Sequence, residues 1–112
     1  MEKILWNEFE KVELRVGRII SAENFTEAKN PSYKLKIDFG AEIGIKKSSA
    51  QITGLYNIDD LVNKLVIAVI NLPPKQIGKF ISECLVTGFH NKNGKVALCI
   101  PDKEVPLGAK LL

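Results

Sequence analysis

The chain has 112 residues, which is enough for one domain with a real hydrophobic core. Hydrophobic residues make up 46% and charged residues 26%, a balance that excludes a disordered or low-complexity chain. The net charge of +3 rests on 16 basic residues, of which only Arg15 and Arg18 are arginine, so any contact with nucleic acid is expected to work by backbone attraction rather than bidentate base reading.

The first apolar cluster is Ile4, Leu5, Trp6 and Phe9, set among acids at the spacing of a short helix. Val12, Leu14 and Val16 then alternate with Glu13, Arg15 and Gly17, which predicts a half-buried strand. The apolar phase changes after Gly17, so a glycine bulge or sharp bend is expected there. A loop follows from Asn24 to Pro31. The second strand carries Tyr33, Leu35, Ile37 and Phe39 on one face and Lys34, Lys36 and Asp38 on the other. Gly40 turns the chain. Ile43 and Ile45 open a third strand that runs into Lys46-Lys47-Ser48-Ser49-Ala50-Gln51. A helix is predicted over Ile52 to Lys64, with Asn57 as its cap and Asp59 and Asp60 in its first turn.

Leu65 to Ile70 is wholly apolar and reads as a fourth, buried strand. Pro73 and Pro74 then fix φ and remove two donors, which predicts a stiff loop presenting Lys75, Gln76 and Lys79. Ser82 to Gly88 is the predicted fifth strand. Asn91-Lys92-Asn93-Gly94 is a strong turn signal before a sixth, Val96 to Ile100. The order strand, strand, strand, helix, strand, strand fits an all-β chain with a short helix, folded as a small Greek-key barrel of the OB type with its helix between strands 3 and 4. A β-sandwich fits the same pattern. No internal repeat or linker divides residues 1–112, so a single domain is expected.

Cys84 and Cys99 both sit in apolar runs and read as reduced, buried thiols. There is no CxxC and no Cys/His cluster, so neither a metal nor a cofactor is expected. His90, the only histidine, lacks a neighbouring nucleophile or acid pattern, and no P-loop or GxGxxG occurs, so the chain does not read as an enzyme. The N-terminus lacks an apolar signal core and no apolar run approaches the roughly 20 residues of a membrane span, so no membrane insertion and a cytoplasmic location are expected.

Several segments carry a family resemblance. Val12-Glu13-Leu14-Arg15-Val16-Gly17-Arg18-Ile19 resembles the opening strand motif of the tRNA-binding OB domain. That domain occurs in EMAP-II-like cytokines, methionyl-tRNA synthetase extensions and the phenylalanyl-tRNA synthetase β subunit. Asn71-Leu72-Pro73-Pro74, Ile77-Gly78 and Ser82-Glu83 resemble its second signature. The segments Phe25 to Tyr33, Tyr33 to Gly40 and Gly44 to Ile52 look specifically like the CsaA family of small export-related chaperones. One position departs: Cys84-Leu85 stands where the wider domain commonly has Gly-Met. The resemblance implies an OB barrel, a homodimer, no catalysis, and binding of unfolded or precursor polypeptides. It also brings in the SecA export motor and tRNA as candidate partners.

An OB ligand surface is formed largely by the second and third strands and their flanking loops. The candidate ligand residues there are Lys34, Lys36, Lys46 and Lys47, with Ser48, Ser49, Gln51 and Asn71 as hydrogen-bonding groups. The proline loop adds Lys75, Gln76 and Lys79. Phe80, with Phe25 and Tyr33, is a candidate stacking or pocket aromatic, and Ser82 of the second signature joins them. The apolar ends, Ile4, Leu5, Trp6 and Phe9 with Val105, Leu107, Leu111 and Leu112, are the candidate dimer interface. They fold back on their own barrel in the alternative.

Overall fold

The computed structural model describes residues 1–112. The N-terminal apolar cluster forms one short helix, α1 (Trp6–Glu10). The Glu8 carboxylate accepts the Leu5 N–H at 2.8 Å, which satisfies one of the donors a helix start leaves free. No α1 residue is buried.

Strand β1 (Leu14–Asn24) organises the rest. Its first half pairs antiparallel with β4 (Leu65–Val69), and its second half pairs with β2 (Tyr33–Asp38). One strand serving two partners must bend. The bend was expected at Gly17, but the register shift falls between Ile19 and Ser21. Gly17 stays in register opposite Val66. What it provides is space: a Cβ there would stand 2.5 Å from Ile37 Cγ2 and 2.7 Å from Phe39 Cε1.

β2 alternates as its sequence predicts, with Tyr33, Leu35 and Ile37 buried. It pairs with β3 (Ile45–Ala50) through a turn in which Gly40 and Gly44 both take positive φ, 93° and 87°.

The long helix predicted over Ile52 to Lys64 is one turn, α2 (Ile58–Leu61). Asn57 sits at its cap, and its N–H donates to the Asp60 carboxylate at 3.0 Å. Tertiary bonds end it early. Asn63, at φ 74°, donates its N–H to Ile19 O at 2.7 Å, and Ile19 N–H returns to Lys64 O at 3.0 Å. Those bonds to β1 hold Val62 to Lys64 out of helical geometry.

The expected proline loop is a hairpin of β5 (Lys75–Ile77) and β6 (Phe80–Ser82). Gly78, at φ 61°, takes the first position of its two-residue turn. The predicted fifth strand is broken into the end of β6, then β7 (Leu85–Val86) beside β4, then β8 (Gly88–His90). β8 pairs with β9 (Val96–Leu98), which is shorter than predicted, and Asn91 Oδ1 ties the connecting turn by accepting the N–H groups of Asn93 and Lys95.

The main sheet has the order β3-β2-β1-β4-β7. It curls until β3 meets Ser82–Cys84. Glu83 N–H donates to Lys47 O at 2.8 Å, and Ser49 N–H donates to Ser82 Oγ at 3.1 Å. This nearly closed five-stranded barrel, with little helix, has the OB architecture. Its core is Ile19, Leu35, Ile37, Phe39, Leu61 and Val66, all fully buried. Cys84 is buried, Cys99 is half-buried, and both are free thiols.

The C-terminal tail folds back along β1. Gly108 N–H donates to Val16 O at 2.8 Å, and Leu111 N–H donates to Leu14 O at 2.9 Å. Val105 and Leu107 are half-buried against the barrel by this route. Ile4, Leu5 and Trp6 remain more than 60% exposed, and Leu111 and Leu112 are also exposed. No helix is long and apolar enough to cross a membrane.

Candidate ligand groove and basic rim

A groove of about 410 Å³ opens where the barrel closes. The end of β3 supplies Ser49, Ala50, Gln51 and Ile52. The proline segment and β5 supply Leu72, Pro73, Lys75 and Ile77. The far wall is Ser82 to Val86, with Val96 behind. The volume lies in the range of small-ligand sites, and the walls are mostly apolar with a few polar groups at the rim, the usual make-up of a binding cleft. Leu72 and Leu85 are about half exposed, at 48% and 51%, so their side chains are available to a ligand.

The groove brings together Ser49, Gln51, Lys75 and Ser82 from the sequence-predicted set. Its apolar walls are not among the predicted ligand residues, although Leu72, Pro73 and Ile77 belong to the second signature. Ile52, Leu72, Ile77, Leu85 and Val86 each read as core or loop residues, because nothing local marks a strand end as facing outward.

A second cluster adjoins the groove across the β5–β6 turn. Phe25 and Phe80 meet edge to face with centroids 5.3 Å apart. Lys34 Nζ lies 5.1 Å from the Phe25 centroid and 5.8 Å from that of Phe80, within cation–π range. Glu27 and Glu23 stand 3.7 Å and 3.9 Å from the same ammonium. Lys34 is therefore an internally compensated charge that seats the hairpin. Lys47 Nζ lies 5.4 Å from the Phe80 centroid on the same side.

Cross-strand pairs share a face, which sorts the lysines. Lys36 is paired with Lys47 and Lys34 with Ser49, all on the outer face. Lys46 is paired with Ile37 and lies on the opposite face. Lys36, Lys47, Lys75 and Lys79 carry no ion pair.

Four predicted site residues are committed elsewhere. Ser48 is fully buried, opposite Leu35, and its hydroxyl donates to Cys84 O at 3.0 Å. Asn71 accepts the Glu13 N–H at 2.9 Å and donates to Lys11 O at 2.7 Å. Gln76 donates to Gly78 O at 3.0 Å and braces its own turn. Tyr33 is core, and its hydroxyl donates to Tyr56 O at 2.7 Å.

Burial pushes the Cys84 thiol up to about 11, against a smaller opposing effect of its bond with Ser48, so it is protonated and inert as a nucleophile at neutral pH. No group of three or more His, Cys, Asp or Glu side chains is placed to hold a metal ion. The arrangement offers shape, apolar surface and lysines, which is binding chemistry.

The comparisons with known proteins agree with this architecture. Residues 14–110 match the family described as "Putative tRNA binding domain". The chain superposes on the crystal structure of the chaperone CsaA from Bacillus anthracis str. Ames with a TM-score of 0.92 and 43% identity, covering 99% of this chain and 100% of that one. For the CsaA chaperone protein of Picrophilus torridus the TM-score is 0.91 and the identity 52%, covering 98% of this chain and 100% of that one. A MetRS related protein from Pyrococcus horikoshii gives 0.87 and 30%, over the full length of both chains. The methionine–tRNA ligase of Pyrococcus furiosus is 35% identical over 99% of this chain, which spans only 15% of that enzyme's length. With the whole barrel matched in each case, the chain belongs to the tRNA-binding domain family and, within it, to the CsaA family.

Proposed function

We propose that the chain is a chaperone-type binding module that holds segments of unfolded or export-bound polypeptide in the groove, by binding alone and without ATP. One observation carries this reading: a half-open groove whose walls are Ile52, Leu72, Pro73, Ile77, Leu85 and Val86, rimmed by Ser49, Gln51, Lys75 and Ser82. Apolar side chains of an extended client enter the walls, each gaining about 1.5–3 kcal/mol before ordering costs. Rim hydroxyls and amides pair with client backbone, and Lys75 attracts client carboxylates. The full-length match to two proteins named as CsaA chaperones supports it. The test is fluorescence anisotropy of a labelled, permanently unfolded polypeptide. Ile77→Asp, which puts a charge in the wall, should weaken binding about tenfold or more if one buried apolar contact is lost. Unchanged affinity would remove the groove from the reading.

A second reading is favoured by Lys36 and Lys47, adjacent on the outer face without ion pairs, with the half-exposed Phe80 ring beneath Lys47. This surface suits a tRNA backbone with a stacked base. It fits the family description and the synthetase relatives, such as the Pyrococcus furiosus enzyme, of whose length this chain spans 15%.

The proposal extends to a cytoplasmic homodimer and to SecA as an export partner. The exposed Ile4, Leu5, Trp6, Leu111 and Leu112 support the dimer, since monomers rarely leave such residues open. The CsaA resemblance supports SecA.

A further inference from the structure

Asn71 ends the pairing of β4 with β1. Just before it, Ile70 N–H donates to Glu13 O at 3.0 Å, one step beyond the last ladder pair. Just after it, Leu72 and Pro73 enter the groove wall. The backbone of Leu72, Pro73 and Pro74 makes no hydrogen bond within the protein, and the prolines have no N–H to offer. Hydrogen bonds therefore anchor this wall at its ends alone. One end is the pairing of Lys75 with Ser82. The other is the Asn71 side chain, which accepts from Glu13 N–H at 2.9 Å and donates to Lys11 O at 2.7 Å.

Glu13 is itself fixed. Its carboxylate accepts from Arg15 at 2.7 Å and 3.0 Å and from Lys110 at 2.9 Å, and Arg15 also donates to Gly108 O at 2.9 Å. The groove wall thus hangs on a node joining the start of β1 and the C-terminal tail. The Asn71 amide has both ends committed to Lys11 and Glu13, so it acts through the wall and not on a ligand.

We propose that Asn71 is a positioning residue that clamps the Leu72–Pro73 wall to the Lys11–Glu13 segment and thereby sets the affinity of the groove for polypeptide. The affinity part rests on the groove reading above, while the clamp itself does not. Pinning a proline-stiffened segment at both ends lowers the entropy lost when a client orders the wall, which is the source of the gain.

The test uses the full chain and the labelled unfolded polypeptide as probe, in a cycle of Asn71→Ala, Leu72→Ala and the double variant. Backbone ¹⁵N relaxation gives the order parameter at the Leu72 amide. The clamp predicts that Asn71→Ala lowers it from about 0.85 toward 0.6 or less, with Val66 unchanged. It predicts about fivefold weaker polypeptide binding, as expected for two lost hydrogen bonds of modest net worth. It also predicts non-additivity, with the double variant little weaker than Leu72→Ala alone. An unchanged order parameter at Leu72, unchanged affinity in Asn71→Ala, or additive losses would each overturn the proposal. Normal binding by Leu72→Ala would count against the groove reading instead, and the order parameter would still decide the clamp. If Asn71→Ala does not fold, Asn71→Asp retains the acceptor for Glu13 N–H and should show an intermediate drop, and a rigid Leu72 there would equally overturn it.

Discussion

Glu83 and Lys47 pair twice, once through backbone and once through a side chain. Glu83 N–H donates to Lys47 O at 2.8 Å, and the Glu83 carboxylate accepts Lys47 N–H at 2.9 Å. Here the side chain does what a neighbouring strand would do, and it closes β3 against the segment leading to β7. Both residues also flank the binding region, so closure of the barrel and shape of the groove are one feature. Glu83→Ala leaves the Lys47 N–H without its partner and should cost about 1–2 kcal/mol in urea unfolding. Glu83→Gln keeps an acceptor and should cost less than half as much. Equal losses in the two variants would mean the carboxylate's charge, and not its hydrogen bond, closes the barrel.

Gly17 is the tightest approach in the first strand. A Cβ there would lie 2.5–2.8 Å from Ile37 and Phe39, both of which are fully buried. Gly17→Ala should destabilise by about 1–3 kcal/mol through overpacking. The urea midpoint of the variant checks this, and an unchanged midpoint would show that the two side chains move aside without cost.

Glu13 gives the fold a dependence on acid. Hydrogen bonds from Lys110 and then Arg15 hold its carboxyl below its ordinary value of 4.5. A carboxylate with a depressed folded pKa stabilises fully above the unfolded value and loses that contribution as pH falls through the folded one. The melting temperature of Glu13→Gln should therefore lie below that of the parent at pH 6–7, and the gap should close as pH falls below 4.5 and through the depressed folded pKa, where the parent's carboxyl is protonated too. A gap that does not narrow at any pH below 4.5 would show that the loss in Glu13→Gln has no ionic origin.

Much of the barrel was legible from alternation. Tyr33, Leu35 and Ile37 marked the inner face of β2, and Asn91 to Gly94 marked a turn, because each pattern is local. The length of α2 was not legible, since Asn63 and Lys64 leave the helix for bonds to Ile19, 44 or more residues earlier in the chain. The β5–β6 hairpin was hidden behind Pro73 and Pro74, which read as a loop. The site was legible in part. Lys47 and Lys46 could not be assigned to faces, because Lys-Lys-Ser-Ser contains no apolar residue to set the phase, and Ser48 turned inward for the same reason. The groove walls come from segments distant in sequence, so only the closed barrel assembles them.

The exposed ends make their own prediction. Sedimentation at micromolar concentration should give a mass near twice 12.4 kDa. Leu5→Asp with Trp6→Ala should shift it toward the monomer, since both side chains are 69% exposed and neither supports the barrel. A parent that sediments as a monomer would rule out this interface.

The central claim is that the groove takes polypeptide by apolar burial, and a salt titration tests it most directly. Polypeptide and tRNA should be titrated side by side against the same protein at 50 and 200 mM salt. Apolar burial predicts that polypeptide affinity changes by less than about twofold across that range. A tRNA held by several phosphate contacts should weaken by about tenfold or more, because counterions released on binding oppose it at higher salt. Saturable, salt-insensitive polypeptide binding is the predicted result; polypeptide binding that is absent, or that falls with salt as steeply as that of tRNA, would contradict the account.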